Sequence, residues 1–278
     1  MEASRARQQP QQFPMSIDLA DKSFHRRLMG VMILHGFTAN LESVRTLFQP
    51  LGGTGLQLVT PLLRGHGQES PDSLRGIRWN DWLDDAERAL ADAAGTEGKL
   101  VVVGHSMGAL LALQLAARHP ELVDSVVLAT PPLRLTSLFA PGRPLNLFAP
   151  LVSRLFDRWD FQPRFAEPET AVIPVQYAWA PTGTILSMFE LVEATTRILG
   201  RVRVPALILQ GRNERIVLPE SAGMVLDGIA TLPADKSVFW LEKSDHQVFC
   251  DCEREAAVGA VAAFVARRLE AAPLSVPV

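Results

Sequence analysis

A single open α/β domain, with a mostly parallel sheet of about six strands covered by helices on both faces, is the fold class this sequence predicts. Three observations carry the prediction. Short apolar runs recur at residues 31–34, 57–60, 100–103, 125–129, 206–210 and 237–241, with the length and β-branched content of strands buried on both faces. Stretches with helical spacing separate them, so strand and helix alternate as in a parallel sheet with crossovers. The 278 residues, 47% hydrophobic and 21% charged, suffice for one large core.

The elements follow in chain order. Residues 1–15 are polar and proline-bearing with no period and read as a disordered tail, which leaves 16–278 as the domain. The strand at 31–34 ends in His35-Gly36-Phe37-Thr38-Ala39-Asn40, where glycine lets the chain turn and bring backbone N–H groups close to a ligand. His35 itself reads as a brace for that loop. A helix is expected over 42–51, and a loop, Pro61 to Gly67, after the second strand. His66 within that loop reads as a packing residue. From Trp79 to Ala94, Trp82, Leu83, Ala86, Leu90 and Ala93 recur at helical spacing between acidic residues, giving an amphipathic helix against the sheet, with Trp79 and Trp82 in the core.

The chain is organised around KLVVVGHSMGALLALQLAARHP at 99–120. Leu100 to Val103 is a buried strand, Ala109, Leu110, Leu113, Ala116 and Ala117 follow at helical spacing, and His119-Pro120 stops the helix. The turn between them, Gly104-His105-Ser106-Met107-Gly108, is G-x-S-x-G in a strand–turn–helix setting, the context of a nucleophile elbow. Such a turn strains the serine backbone and presents its hydroxyl at the strand's carboxyl end. The helix that starts behind it favours negative charge there. Ser106 is therefore the candidate nucleophile.

The connection between residues 130 and 205 is too long for a compact sheet and reads as an insertion at about 131–200. Its first half is strongly apolar, with Leu135, Leu138, Phe139, Leu145, Leu147, Phe148, Leu151, Leu155 and Phe156, and is broken by Pro141, Pro144 and Pro150. These residues either line a lid over the serine or pack among themselves. A helix over 183–199 returns the chain to the sheet. After the strand at 206–210 comes Gly211-Arg212-Asn213-Glu214-Arg215-Ile216-Val217, and after the last strand Glu242-Lys243-Ser244-Asp245-His246, before a closing helix over 250–269. Of six histidines, His246 alone follows the final strand, so Ser, acid and His occur in the order a hydrolytic triad on this kind of sheet takes. His105 abuts the serine but is expected to point away from it.

Composition narrows the partners. A formal charge of -3 carries no basic excess to neutralise phosphates, so nucleic acid is not expected, and nothing polybasic in the whole chain suggests an anionic membrane. Cys250 and Cys252 are too few and too close for a disulfide framework, and no Cys/His cluster has zinc spacing. The first residues lack the apolar core of a secretory signal, and no apolar run approaches the roughly 20 residues that span a bilayer. The expectation is a cytoplasmic protein without stable membrane insertion.

LHGFTAN after the first core strand, LRGHG at 63–67 after the second and GHSMG after the third resemble the α/β-hydrolase superfamily, most closely its small bacterial carboxylesterases and monoacylglycerol lipases. The resemblance covers nearly the whole chain from residue 30. It implies an α/β-hydrolase fold with a helical cap as the insertion, and ester hydrolysis through an acyl-enzyme with no metal or cofactor. Phe37 and Met107 would donate the oxyanion N–H groups. The triad acid in that family stands in a phrase like G-x-x-D-x-x-V, and the matching position here is Glu214, a departure from Asp that the fold admits. Asp245 competes, but adjacent side chains usually diverge, so it is poorly placed to reach the His246 ring. Glu214 could otherwise be a surface partner of Arg212 or Arg215. The implied substrate is a small-molecule ester with an apolar acyl chain. The same triad also serves acyl transfer or the hydrolysis of lactones, thioesters or carbon–carbon bonds. A non-catalytic binding protein would be expected to lack one of Ser, acid or His, and all three are present.

Overall fold

The computed structural model describes residues 27–271 except 97, 163, 173 and 175. The expected tail at 1–15 lies outside the described residues. Six strands form one sheet in the order β2-β1-β3-β4-β7-β8, every neighbouring pair parallel. They are β1 (Arg27–Leu34), β2 (Gln57–Val59), β3 (Gly98–His105), β4 (Val123–Ala129), β7 (Ala206–Gly211) and β8 (Lys236–Leu241). Alternation along β3 explains the two-sided burial: Leu100 and Val102 join one core cluster, Val101 and Val103 the other. The first cluster lies under α2 (Trp79–Ala94), α3 (Met107–Arg118) and α5 (Thr182–Ile198), the second under α1 (Phe48–Gly52) and α7 (Arg254–Ala271). Trp82 is fully buried at the centre of the first cluster, with Trp79 partly buried against it.

Two elements depart from expectation for local reasons. In place of one helix over 42–51, a 3-10 helix at Leu41–Leu47, capped by the Asn40 side chain, precedes the short α1. Pro50 has no N–H to donate back and its ring would crowd the carbonyl four residues earlier, so a continuous α-helix is excluded. At the other end α7 begins at Arg254, because Asp251 takes the N–H groups of Cys252 and Asp245 and holds the preceding residues as a turn.

Between β4 and β7 the inserted segment is only partly helical. It holds a 3-10 turn at Asn146–Phe148, α4 (Ala149–Leu155), and an antiparallel pair, β5 (Arg158–Asp160) with β6 (Trp179–Pro181), before α5 returns to pack on α3 and α2. The expected helical cap is thus a mixed one, since Pro141 and Pro144 interrupt any longer helix and Pro150 is tolerated only in the first turn of α4. The last helix, α6 (Glu220–Gly228), links β7 to β8. Among the described residues no helix is long and apolar enough to cross a membrane.

Candidate active site

Ser106 joins β3 to α3 with φ 53 and ψ -116, a conformation that L-residues rarely adopt. The flanking glycines make this turn possible. A Cβ on Gly104 would collide with the Gly108 carbonyl, and one on Gly108 with the Leu34 carbonyl. Ser106 N–H donates to Ala129 O at 2.8 Å, which ties the turn to the end of β4. Gly36 allows the loop after β1 to close on the same point, as its missing Cβ would stand 3.3 Å from Ser106 Cβ.

Three side chains from separate loops converge there. His246 Nε2 lies 3.0 Å from Ser106 Oγ, and its Nδ1 lies 3.0 and 3.1 Å from the two oxygens of Glu214. Nδ1–H therefore donates to the carboxylate, which leaves Nε2 bare to accept the serine proton. All three are buried, at 8%, 6% and 6% exposure for Ser106, Glu214 and His246. Burial alone pushes the His246 pKa down, but the Glu214 carboxylate, with a smaller contribution from Asp245, outweighs it and leaves the ring above its ordinary value. His105 points away from the serine: its Nε2 donates to the His246 carbonyl at 2.9 Å. His35 braces two loops, donating from Nδ1 to Gly36 O at 2.9 Å and accepting Leu63 N–H on Nε2 at 3.2 Å. Desolvation pushes His35 to about 4, and His66 and His105 each to about 3, so all three are neutral.

Asp245 and Arg215 form a clamp that sequence reasoning did not find. Asp245 accepts from Arg215 N–H, from the Arg215 guanidinium and from His246 N–H, joining the acid loop to the histidine loop. Its carboxylate is thereby occupied away from the imidazole. Arg215 also donates to Phe165 O at 3.0 Å, and Asp251 accepts Ala166 N–H at 2.8 Å, so both loops hold the returning limb of the insertion. The leading limb is held too, with Thr136 N–H on Ile216 O and Leu218 N–H on Arg134 O. Arg212, the other suggested partner of Glu214, instead pairs with Glu242 and lies over Trp240. The signal for the clamp was the alternation of charge in Glu214-Arg215 and Asp245-His246, which spacing alone cannot resolve into pairs.

Above the serine lies a cavity of about 440 Å³. Phe37 stands in its wall, with its ring against Trp82, His66 and Phe161, while the Met107 side chain is buried in the core below. Neither residue's N–H has a hydrogen-bond partner among the described residues. Tyr177, reaching in from the insertion, donates its N–H to Thr38 O and steadies the Phe37 loop. Much of the wall is apolar: Phe139, Val152, Trp159, Phe161, Ile185 and Phe189, with Gln176, Gln247 and Arg215 on the polar side. Of the nine apolar residues expected in the first half of the insertion, Leu135 and Phe139 line the cavity and the other seven do not.

Known proteins fit this geometry. The chain is 26% identical over 234 residues to the thermostable monoacylglycerol lipase of Bacillus sp. (strain H-257), covering 81% of this chain and 86% of that one. It is 25% identical over 230 residues to a carboxylesterase of Bacillus subtilis (strain 168), covering 81% and 87%. A solved structure from work on LipS and LipT, two metagenome-derived lipolytic enzymes, superposes with a TM-score of 0.74 at 25% identity over 87% of this chain and 94% of that one. A parallel sheet with a strained serine at its carboxyl edge is the α/β-hydrolase arrangement. With the model of the serine aminopeptidase S33 family matching residues 28–253, most of its length, the chain belongs to that family of α/β-hydrolases.

Proposed function

We propose that this protein hydrolyses carboxylic esters with an apolar acyl chain, using Ser106 as nucleophile, His246 as general base and acid, Glu214 as the orienting carboxylate, and the N–H groups of Phe37 and Met107 as the oxyanion hole. Ser106 Oγ attacks the acyl carbonyl as its proton passes to His246 Nε2. The oxyanion faces two free amides at the start of α3 and the loop after β1, each worth about 3 kcal/mol of transition-state stabilisation. His246 then returns the proton to the departing alcohol, and a water attacks the acyl-enzyme by the same route. The cap at 131–200 belongs to the same proposal as the cover that shields the intermediate from bulk water.

The hydrogen-bonded series Ser106–His246–Glu214 carries this reading. Ester rather than peptide substrates fit the cavity chemistry. Among its described lining residues Asp160 is the one carboxylate, exposed and 3.8 Å from Arg158, which offers little to a free α-amine. A cytoplasmic setting is part of the proposal, supported by the free thiols of Cys250 and Cys252. Turnover of a p-nitrophenyl ester is expected in the wild type, with Ser106→Ala slower by about three or more orders of magnitude. Near wild-type turnover in that variant would contradict the assignment.

A further inference from the structure

β8 ends the sheet, and no described strand pairs with its outer side. One bond fixes its phase: Arg212 N–H donates to Leu241 O at 2.9 Å, so Leu241, and by alternation Phe239 and Ser237, turn their backbone groups toward β7. Val238 and Trp240 therefore turn theirs outward, as a template for a further strand. The sheet face beside that edge is bare as well. α7 packs on β7 and β8 but ends against the start of β4, where Arg268 donates to Asp124 at 2.9 and 3.1 Å, so it leaves the amino-terminal half of β8 uncovered. Phe239 there is 36% exposed and belongs to neither core cluster, and Leu232, just before the strand, is 68% exposed.

The residues along this edge select the occupant. Asp235-Lys236-Ser237-Val238-Phe239-Trp240-Leu241-Glu242-Lys243 carries an acid followed by a base at each end. Laid antiparallel on itself with Phe239 facing Phe239 of a second copy, the stretch sets Asp235 opposite Lys243, Lys236 opposite Glu242 and Val238 opposite Trp240. In this register outward backbone groups meet outward backbone groups, so the ladder bonds form. A shift of one residue would pair them with groups turned toward β7, and a shift of two would undo both charge pairs. A two-fold contact has to match a surface with itself, and this edge does so in charge, in backbone phase and in its apolar centre. We propose that this protein forms a two-fold dimer through the outer edge of β8, which joins the two sheets into one with the Phe239 rings packed together at the axis. The contact abuts Arg212 and Glu242, ion-paired at 2.9 Å on the loops that lead to Glu214 and His246, while no residue of β8 lines the cavity.

Sedimentation-velocity ultracentrifugation of the full chain across micromolar concentrations tests this, with circular dichroism to show that each variant folds. Wild type is expected as a dimer and Phe239→Asp as a monomer. Asp235→Lys and Lys243→Asp each set like charges opposite one another, and a two-fold contact repeats the clash on both sides of the axis. Each should therefore raise the dimer dissociation constant at least about tenfold, and the two combined should return it to near the wild-type value. Phe239→Cys should form a disulfide-linked dimer under mild oxidation, because facing residues at the axis come within disulfide reach, whereas wild type, which has only Cys250 and Cys252, should not. A monomeric wild type, a dimer that survives Phe239→Asp, a double charge variant no tighter than the single ones, or a Phe239→Cys chain that stays uncrosslinked would overturn the proposal.

Discussion

Glu214 carries one methylene more than an aspartate at the same position, and its carboxylate absorbs the extra length by folding back on its own turn. Oε1 accepts Ile216 N–H at 3.1 Å and Val217 N–H at 3.2 Å while facing His246 Nδ1. Glu214→Gln keeps this shape but removes the charge that holds the imidazolium, so kcat should fall by about two or more orders of magnitude with little change in melting temperature. Asp245→Asn should cost far less, because Asp245 serves Arg215 and the His246 backbone; steady-state kinetics of the two variants ranks them, and the reverse order would move the acid to Asp245. On the proposed mechanism His246 must be neutral to take the serine proton, and its pKa is held above the ordinary 6.5. The acid limb of kcat/KM should therefore have its midpoint above pH 6.5 in the wild type, and the Glu214→Gln limb should move to lower pH. An acid limb that ignores Glu214 would separate that carboxylate from the histidine. Ser106 and His246 were legible in the sequence because glycine spacing and chain order each restrict them. The Asp245–Arg215 clamp was not, since which carboxylate meets which cation depends on where two loops 30 residues apart come to rest.

At the scale of elements, the sheet was legible and the insertion was not. Strands buried on both faces leave a continuous apolar run, as in Leu100 to Val103, whereas β5 and β6 are three residues each and β5 is wholly exposed, so no run marks them. Apolar composition in the insertion left open whether its side chains line the space over the serine or pack among themselves, and it could not say which turn inward. Leu147 and Phe139 look alike in sequence, yet one faces outward and the other lines the cavity. The inward set predicts selectivity. With Phe139, Val152, Ile185 and Phe189 in the cavity wall, the proposed ester reading expects esters of medium acyl length to show higher kcat/KM than acetate. Each methylene buried adds up to about 0.8 kcal/mol until the cavity is filled. A p-nitrophenyl ester series measures this, and a flat profile or a strict preference for acetate would contradict an acyl path lined by the cap.

For the molecule as a whole, three buried neutral histidines tie stability to pH. Desolvation holds His35 at about 4 and His66 and His105 at about 3, while in the unfolded chain each titrates near 6.5. The unfolded state thus binds more protons throughout that window. The stabilisation is complete above pH 6.5 and is lost as the pH falls toward 4, by about 1.4 kcal/mol per pH unit for each ring. His246, whose value is raised, acts in the opposite sense but above 6.5. Melting temperature should drop steeply between about pH 6.5 and pH 4.5, and a flat profile would mean that the rings are already charged or solvated in the fold. His35 and His105 support the Phe37 loop and the His246 carbonyl, so acid should abolish activity as it unfolds the site.

That Ser106 is the nucleophile, activated through His246 and Glu214, is tested most directly by covalent labelling. Intact-mass spectrometry and peptide mapping after reaction with a fluorophosphonate should find one adduct, on Ser106, forming more slowly in Glu214→Gln and absent in Ser106→Ala. An adduct mapping elsewhere, or no adduct while ester turnover continues, would contradict it.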